Sequence, residues 1–181
     1  MSRLYLIRHG KTRANELHLY CGSSDVPLSQ RGAEELKSLH YSVPEGRFLT
    51  SGMRRTNETL KLLFGDVPYE TVPAFREIDF GVFELHSYEE LKDDPAYQSW
   101  LTGDNEANIP PEGESGLQVR ERVLAALPDL MERDTVLITH GGVISLIMQH
   151  LFPEEKKNRY DWQPQPGHGY LIEDRSYQPI P

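Results

Sequence analysis

The sequence has little cysteine, a shortage of cations and no long hydrophobic run. Its single cysteine, Cys21, has no partner within the chain, which excludes a fold held together by internal disulfide bridges. No apolar stretch approaches the ~20 residues that a membrane span needs, and no signal-peptide pattern opens the sequence. We therefore expect a soluble, cytoplasmic protein.

The shortage of cations also bears on partners. Lysine and arginine total 19 against 28 acidic residues, which gives a net charge of −9. Proteins that bind nucleic acids neutralise phosphates with a surplus of cations, so nucleic-acid binding is not expected.

The hydrophobic content of 38% is enough to build a core. Because domains cluster near ~100–150 residues, we expect residues 1–181 to form one domain. The sequence is compatible with a homodimer but does not fix the oligomeric state.

Short apolar runs alternate with segments of helical periodicity. The predicted strands are residues 4–7, 47–51, 71–75, 135–139 and 170–172. The predicted helices run from Ser29 to about Tyr41, from Met53 through Phe64, from Ser115 to Leu130 or Met131, and from Val143 to Leu151. Such an alternation predicts an α/β layer fold with a mostly parallel sheet.

Three predicted strand-to-helix junctions carry cations or imidazoles. They are Arg8-His9-Gly10, residues 51–55 and His140-Gly141-Gly142. Ligands of open α/β sheets lie outside the carboxyl ends of the strands, where free helix N–H groups point at them. The three junctions together therefore predict an anion site. Arg54 and Arg55 are adjacent on a helix and point about 100° apart, so only one of them should face this site.

The other histidines lack this context. A histidine after a strand is often only structural, but His9 and His140 each end a strand and each precede glycine, which favours a function. We expect ordinary structural or surface roles for most of the remaining five: His18, His40, His86, His150 and His168. His18 and Cys21 lie near each other in sequence, but no second pair of ligands accompanies them, so no metal site is predicted.

The first junction continues as Arg8-His9-Gly10-Lys11-Thr12-Arg13-Ala14-Asn15. This run resembles the Arg-His-Gly-acidic-Thr-x-x-Asn signature of the histidine phosphatase superfamily, the phosphoglycerate mutase-like enzymes. Further segments resemble later family motifs in the same order: Cys21-Gly22 with Asp25 to Gly32, Ser51 to Thr59, Arg76 to Glu84, Pro111 to Ser115, and Thr139 to Gly142. The resemblance covers roughly residues 3 to 145. It implies a three-layer α/β/α sandwich with a mostly parallel central sheet.

The resemblance also implies a role for each matching residue. His9 would be the nucleophile that becomes phosphorylated, and Glu77 would protonate the leaving group and later activate water. The phosphate pocket would be lined by Arg8, Arg55 and His140, and further contacts to phosphate or substrate would come from Asn15, Cys21, Gly22 and Gly141. The motif register selects Arg55 over Arg54. No metal and no cofactor would be needed, because fixed cations can stabilise the transferring phosphoryl group.

The sequence departs from the family pattern at several positions. Lys11 stands where an acid is common, Gly52 where aspartate is usual, and Leu85 where glycine often follows the Phe-Glu pair. Thr56 and Glu58 replace small or amide residues. None of these changes removes a catalytic group, but together they alter the rim of the pocket.

Residues 77–119 form a lid-like segment with eleven acidic residues and a single cation, Lys92. Such a segment would repel a polyanionic substrate, which favours a phosphomonoester whose remainder is neutral or cationic. The segment also contains large apolar side chains that could form a substrate surface or simply a small core: Tyr88, Tyr97, Trp100 and Leu101.

The favoured function is a metal-independent phosphomonoesterase that acts through phosphohistidine on a small metabolite. Resemblance to the short phosphatases with a Gly-Glu-Ser motif makes α-ribazole 5'-phosphate a specific candidate substrate. One alternative is a cofactor-dependent phosphoglycerate mutase, although the resemblance would then require an arginine-rich insertion after the acid segment, which is missing here. A second alternative is a catalytically silent module that binds a phosphorylated ligand. The intact set of catalytic residue types argues against it.

Overall fold

The computed structural model of the protein describes residues 2–42 and 44–181. Six strands form its sheet: β1 Leu4–Arg8, β2 Arg47–Thr50, β3 Tyr69–Thr71, β4 Thr135–Thr139, β5 Gly169–Glu173 and β6 Ser176–Ile180. Their order across the sheet is β3-β2-β4-β1-β5-β6. The first four strands in this order run parallel, and β5 and β6 are added in antiparallel pairings. The predicted mostly parallel sheet is confirmed.

Helices cover both faces of this sheet. They are α1 Arg13–Glu16, α2 Gln30–Lys37, α3 Arg54–Phe64, α4 Tyr88–Leu91, α5 Pro95–Leu101, α6 Gly116–Leu130 and α7 Gly141–Leu151. Successive side chains of a strand point to opposite faces. Leu6 of β1 accordingly packs in a core with α6 and α7, whereas the neighbouring Ile7 packs in a second core with α3. The fold is therefore a three-layer α/β/α sandwich, as predicted.

Some element boundaries differ from the sequence predictions. Helix α2 ends at Lys37, before the predicted Tyr41, and the Ser38 hydroxyl donates to the Glu35 carbonyl at this end. The prediction of a strand at residues 71–75 was wrong, because β3 begins earlier in the chain and ends at Thr71. A short 3₁₀ turn occupies Pro73–Phe75. The strand predicted at 170–172 is not the last one. Strand β6 follows it, with Pro179 at the sheet edge, where a missing N–H is tolerated.

The segment of residues 77–119 contains a small hydrophobic core of its own. Phe83, Leu91, Tyr97 and Trp100 are buried together there. Tyr97 and Trp100 therefore serve as core residues and not as a substrate surface. Tyr88 and Leu101, the other two residues considered, are exposed.

The sheet brings the two histidine junctions side by side. Strands β1 and β4 are parallel neighbours in a register that pairs Arg8 with Thr139. Consequently His9 and His140 leave the same edge of the sheet, and the His9 N–H donates to the Thr139 carbonyl at 2.9 Å. Among the described residues, no helix is long and apolar enough to cross a membrane.

Candidate active site

Two buried histidines form the centre of the site. His9 is 5% exposed and His140 is fully buried, and their ring centroids lie 5.1 Å apart. His140 is the N-cap residue of α7, so the free N–H groups of that helix begin beside it. Parallel packing of β1 and β4 thus brings together two imidazoles that are 131 positions apart in the chain.

The environment of His9 keeps its imidazole neutral. Its Nδ1 lies 2.7 Å from the Gly10 carbonyl oxygen. A carbonyl can only accept a hydrogen bond, so Nδ1 carries the proton and Nε2 keeps a lone pair. Burial, with further contributions from the charges of Arg55 and Arg8, holds the pKa of His9 well below its usual value. The ring therefore has the form that a nucleophile requires near neutral pH.

His140 is oriented by a hydroxyl. Its Nε2 lies 2.8 Å from Ser51 Oγ, which in turn lies 3.2 Å from the Thr56 hydroxyl. Burial lowers the pKa of His140 well below the ordinary histidine value, and the charge of Arg55 lowers it further. When Ser51 donates to Nε2, the proton of the neutral ring resides on Nδ1, which is then a hydrogen-bond donor.

Two guanidinium groups complete the positive surroundings. Arg55 is 1% exposed and donates to the carbonyls of Ser24 and Gly22, at 2.8 and 2.7 Å. Arg54 instead lies on the surface, where it pairs with Glu58. Arg8 donates to the Pro164 carbonyl at 2.9 Å, and burial lowers its pKa. The structure thus groups Arg55, and not Arg54, with the other residues of the site.

Three buried nitrogen atoms at the site lack a hydrogen-bond partner among the described residues. They are Arg8 Nε, Arg55 Nε and His140 Nδ1. Leaving a buried polar group unsatisfied typically costs ~1–3 kcal/mol, and such groups are rare in folded proteins. These two cationic donors and one imidazole are carried by β1, α3 and the start of α7, and such donors are suited to an oxyanion such as phosphate, whose oxygens accept several hydrogen bonds.

Glu77 lies against the start of α7. Its carboxylate oxygens accept from the N–H groups of Gly142 and Ile78, each at 3.1 Å. A Cβ at Gly142 would come within 2.5 Å of Glu77 Oε1, so the close approach depends on glycine at this position. The predicted acid is thereby held at the junction that begins with His140.

The Glu77 backbone is fixed by Arg122 of α6. The guanidinium of Arg122 forms a two-point ion pair with the Glu114 carboxylate, with nitrogen–oxygen distances of 2.8 and 2.9 Å. Its remaining N–H groups donate to the carbonyls of Ala74, Arg76 and Glu77. Arg122 was not identified from the sequence, where nothing except its position in a helix distinguishes it, because the carbonyls that it binds lie 45 to 48 residues away.

The predicted substrate-binding residues differ in how the structure connects them to this centre. The Gly22 N–H donates to the Glu84 carboxylate, and Cys21 is half-buried with a thiol pKa raised by burial. Gly141 lies against Arg8, whose Cζ is 3.2 Å from where a Cβ would be. Asn15 accepts hydrogen bonds from Thr12 within a capping box and makes no hydrogen bond to the other predicted residues in the described structure.

Three further residues support the site without having been predicted in it. Ser51 holds His140, and Glu84 accepts from the backbone N–H groups of residues 22–24. Pro164 binds Arg8, so the C-terminal segment after α7 reaches the site. Ser51 and Glu84 belong to motif segments and could have been found there. The carbonyl of Pro164 gives no signal in the sequence.

Two of the departures from the family pattern have local explanations. Lys11 forms an ion pair with Glu35. Gly52 has a positive φ of 83°, a conformation that favours glycine.

In residues 2–42 and 44–181, no three His, Cys, Asp or Glu side chains come together closely enough to hold a metal ion.

Two buried histidines, two arginines and one carboxylate lie at the carboxyl edge of a mostly parallel sheet, an arrangement typical of histidine-dependent phosphoryl-transfer enzymes. Comparison with known families agrees with this class. The model of the histidine phosphatase superfamily (branch 1) matches residues 4–178. The chain belongs to this superfamily, and it is a phosphatase.

Two relatives illustrate the range of similarity. The "Adenosylcobalamin/alpha-ribazole phosphatase" of Escherichia coli (strain K12) is 34% identical over 161 residues, which cover 82% of this chain and 78% of the relative. The "Probable phosphoglycerate mutase GpmB" of Enterobacter sp. (strain 638) is 28% identical over 158 residues, covering 82% of this chain and 74% of the relative.

The solved structures that resemble this chain include the same two kinds of enzyme, a phosphatase and a phosphoglycerate mutase. A "putative alpha-ribazole-5'-P phosphatase" from Escherichia coli K-12 superposes with a TM-score of 0.84 at 28% identity, covering 98% of this chain and 94% of the other. A phosphoglycerate mutase from Thermus thermophilus superposes with a TM-score of 0.79 at 28% identity, covering 99% and 98%. The phosphoglycerate mutase-like fold is thereby confirmed.

Proposed function

We propose that this phosphatase hydrolyses a small phosphomonoester through a phosphohistidine formed on Nε2 of His9. The observation that carries the proposal is the hydrogen bond from His9 Nδ1 to the Gly10 carbonyl, which leaves the lone pair of Nε2 free. Buried donors of Arg8, Arg55 and His140 have no partner among the described residues. A covalent intermediate divides one difficult displacement into two easier ones.

The reaction needs two proton transfers, both assigned to Glu77. In the first step Nε2 of His9 bonds to phosphorus, the bond from phosphorus to the ester oxygen breaks, and protonated Glu77 gives its proton to the departing alcohol. In the second step water attacks the phosphorus of phosphohistidine, Glu77 takes a proton from that water, and inorganic phosphate leaves with His9 restored. Acid–base catalysis of this kind contributes typically ~10²–10⁴-fold.

The charge of the transferring group is balanced by fixed donors. We assign Arg8, Arg55 and His140 Nδ1 to the stabilisation of the equatorial oxygens, a task that metal ions perform in many other phosphoryl-transfer enzymes. Arginine suits this role because it stays charged and can bind two oxygens at once. Metal-independent catalysis is therefore part of the proposal.

We further propose that the alcohol portion of the substrate is neutral or cationic, with α-ribazole 5'-phosphate as the leading candidate. The names of the E. coli relatives support this choice. The segment of residues 77–119 carries eleven acidic residues and one cation, Lys92, which disfavours a second anionic group on the substrate. A cytoplasmic location and the absence of nucleic-acid partners remain part of the same proposal, and a homodimer remains compatible with it.

The phosphohistidine is tested by rapid quenching after brief incubation with p-nitrophenyl [³²P]phosphate. Wild-type protein should carry an acid-labile phosphoryl group that maps to His9. The His9→Ala variant should carry none, while His86→Ala, which changes an exposed histidine, should label normally. An adduct on another residue would refute the assignment, and the absence of both turnover and labelling would favour a silent binding module.

A second candidate function is phosphoglycerate mutase activity, which the GpmB relative and the Thermus thermophilus structure favour. A substrate panel separates the two functions. If 3-phosphoglycerate with a bisphosphoglycerate primer were the best substrate, the phosphatase proposal would be replaced. Release of inorganic phosphate from α-ribazole 5'-phosphate at a higher kcat/KM than from 3-phosphoglycerate would support it.

A further inference from the structure

The loop of residues 22–24 surrounds the carboxylate of Glu84. Oε1 accepts from the N–H groups of Gly22 and Ser23, at 2.9 and 3.0 Å, and Oε2 accepts from the N–H and the hydroxyl of Ser24. The Phe80 N–H donates to Oε1 as well, at 3.0 Å. All of these groups are donors, and a carboxylate, which only accepts, satisfies them together. The loop thus forms a concave anion site of backbone N–H groups, and the protein fills it with its own side chain.

The carbonyls of the same 22–24 loop hold Arg55. The Gly22 carbonyl accepts from Nη2 and the Ser24 carbonyl from Nη1, at 2.7 and 2.8 Å. Each terminal nitrogen of the guanidinium is therefore fixed by a different carbonyl, which sets the plane of this rigid group. Nε of Arg55 is buried and has no partner among the described residues. The loop consequently decides in which direction Arg55 presents its remaining donors.

One peptide group of the 22–24 loop joins the two side chains directly. The carbonyl of the peptide between Gly22 and Ser23 accepts from Arg55, and the N–H of the same peptide donates to Glu84. A hydrogen bond at one end of a peptide group polarises it and strengthens the bond at its other end. Because Arg55 is held here by neutral carbonyls, these contacts leave its positive charge available for a bound anion.

Glycine at position 22 is required for this packing. A Cβ at Gly22 would lie 1.6 Å from the Ile78 carbonyl oxygen and 2.8 Å from Glu84 Oε1. A larger residue would therefore push the 22–24 loop away from the carboxylate and away from the segment that follows Glu77. The loop is held closely on one side by Glu84 and Ile78, and it contacts Arg55 through its carbonyls.

We infer that Glu84 is a positioning residue for Arg55, because it fixes the 22–24 loop whose carbonyls aim the guanidinium at the transferring phosphoryl group. This inference rests on the proposed function, in which Arg55 stabilises that group. Glu84 itself touches no reacting atom. The N–H groups of the loop are engaged by Glu84, so the loop contributes to phosphate binding through Arg55.

Glu84→Gln tests the inference with a nearly isosteric change. The amide replaces one acceptor oxygen by an NH₂ group, which cannot accept from the N–H groups of the 22–24 loop. We expect kcat/KM to fall about 10-fold to 100-fold, because Arg55 loses its alignment. The loss should be the same for p-nitrophenyl phosphate and for ribose 5-phosphate, since Arg55 acts on the phosphoryl group that both share.

Glu90→Gln is the matched control. The Glu90 carboxylate also accepts from a backbone N–H and a hydroxyl, both of Ser87, but it belongs to the capping box of α4 and has no contact with the 22–24 loop. This variant loses a comparable set of hydrogen bonds in the same 77–119 segment. It should keep kcat/KM within about twofold of the wild type on both esters.

A double-mutant cycle separates positioning from a general loss of structure. Arg55→Met removes the guanidinium and keeps a long buried side chain. In the Arg55→Met background, Glu84→Gln should lower kcat/KM for p-nitrophenyl phosphate by less than about threefold, because the group that Glu84 positions is already absent. Ser24→Ala, which removes the hydroxyl donor to Glu84, provides the same comparison with a smaller effect if the Glu84→Gln protein folds poorly.

Binding of inorganic phosphate, measured by titration calorimetry, gives a readout that needs no turnover. Kd should rise about tenfold in Glu84→Gln and stay at the wild-type value in Glu90→Gln. A merely structural loss would reduce the fraction of protein that binds and leave Kd of the folded fraction unchanged.

Two outcomes would overturn the inference. One is that Glu84→Gln and Ser24→Ala both leave kcat/KM and the phosphate Kd at their wild-type values. The other is that the losses of Glu84→Gln and Arg55→Met multiply in the double variant, which would show that Glu84 does not act through Arg55. Failure of the proposed function is distinguishable, because it would abolish labelling of His9 in the wild type, whereas the phosphate titrations would remain measurable.

Discussion

Arg122 and Glu114 form a two-point ion pair whose nitrogen–oxygen distances are 2.8 and 2.9 Å. The pair connects α6 to the loop before it, and the other N–H groups of Arg122 bind the carbonyls of the segment that carries Glu77. A planar guanidinium can make these bonds simultaneously, whereas a lysine ammonium cannot. The position of the proposed acid therefore depends on a residue that itself touches no substrate.

Arg122→Lys should lower kcat by about 10-fold to 100-fold for ribose 5-phosphate, because a displaced Glu77 transfers its proton less effectively. The loss should be smaller for p-nitrophenyl phosphate, whose leaving group departs without a proton. The rate of the first step, measured by rapid quenching on both esters, checks this prediction, because the second step, in which Glu77 activates water, is common to both. Arg31→Lys, at a surface ion pair, is the control. Equal losses on the two esters would indicate a merely structural role for Arg122.

Glu77→Gln should lower the rate more than Arg122→Lys does, and the loss should again be greater for the leaving group that needs a proton. Hydrolysis of ribose 5-phosphate should slow by about 10²–10⁴-fold, because an amide cannot donate the required proton. The first step with p-nitrophenyl phosphate, seen as a burst of nitrophenol, should slow much less. Glu121→Gln, at an exposed position on α6, should behave like the wild type. A uniform loss across leaving groups would remove Glu77 from the role of acid.

The buried histidines should make stability depend on pH. Histidines of an unfolded chain titrate near pH ~6.5, whereas burial holds the pKa values of His9 and His140 well below that value. Below pH ~6.5 the unfolded chain therefore binds more protons, and the free energy of unfolding should fall by up to about 1.4 kcal/mol per pH unit for each histidine. The fall ends once the pH is below the folded pKa values.

Urea unfolding at pH values between about 7.5 and 5.5 measures this effect. His9→Gln and His140→Gln should each reduce the slope, whereas His86→Gln, at an exposed position, should not. NMR titration of the His9 ring offers a direct check on the free protein. A midpoint at or above the unperturbed histidine value would contradict the proposed neutral nucleophile.

Leu85→Gly should stabilise the protein by about 0.5–1 kcal/mol. Leu85 has a φ of 61° in the left-handed region, which costs an L-residue roughly 1–2 kcal/mol. Part of the gain is offset by the greater freedom of glycine in the unfolded chain. Leu17→Gly is the matched control, since Leu17 is similarly exposed at 47% against 45% but has an ordinary φ of −94°. Leu17→Gly should lower the free energy of unfolding measured with urea. If Leu85→Gly lowers it as well, the proposed backbone strain at Leu85 is refuted.

Hydrolysis of p-nitrophenyl phosphate should persist unchanged in excess chelator. The proposed mechanism relies on Arg8, Arg55 and His140 for charge stabilisation and assigns no step to a metal ion. Activity measured before and after prolonged dialysis against EDTA checks this. Loss of activity that returns on adding a divalent cation would overturn the metal-independent mechanism.

Much of the fold followed from local patterns. Strands β1 and β4 are continuous apolar runs, and α6 repeats its buried residues at helical spacing from Ser115, which caps it as expected. Strand β6 could not be predicted from local patterns, because a polar segment containing Pro179 has no strand signal. Its pairing with β5 holds it in the sheet. The mistaken strand at 71–75 has a related cause, since Pro73 starts a 3₁₀ turn.

The sequence by itself determined that His9 and His140 follow strand ends and are candidates for the chemistry, because strand-end motifs are local, and the resemblance to the family selected Arg55 over Arg54. Only the tertiary structure decided how these groups are tuned and supported. The neutral state of His9 arises from burial among charges, and the placement of Glu77 arises from Arg122 and Gly142, which are distant in the chain. The contacts of the 22–24 loop with Glu84 and Arg55 likewise form only in the folded chain, because they join positions that are 31 to 62 residues apart.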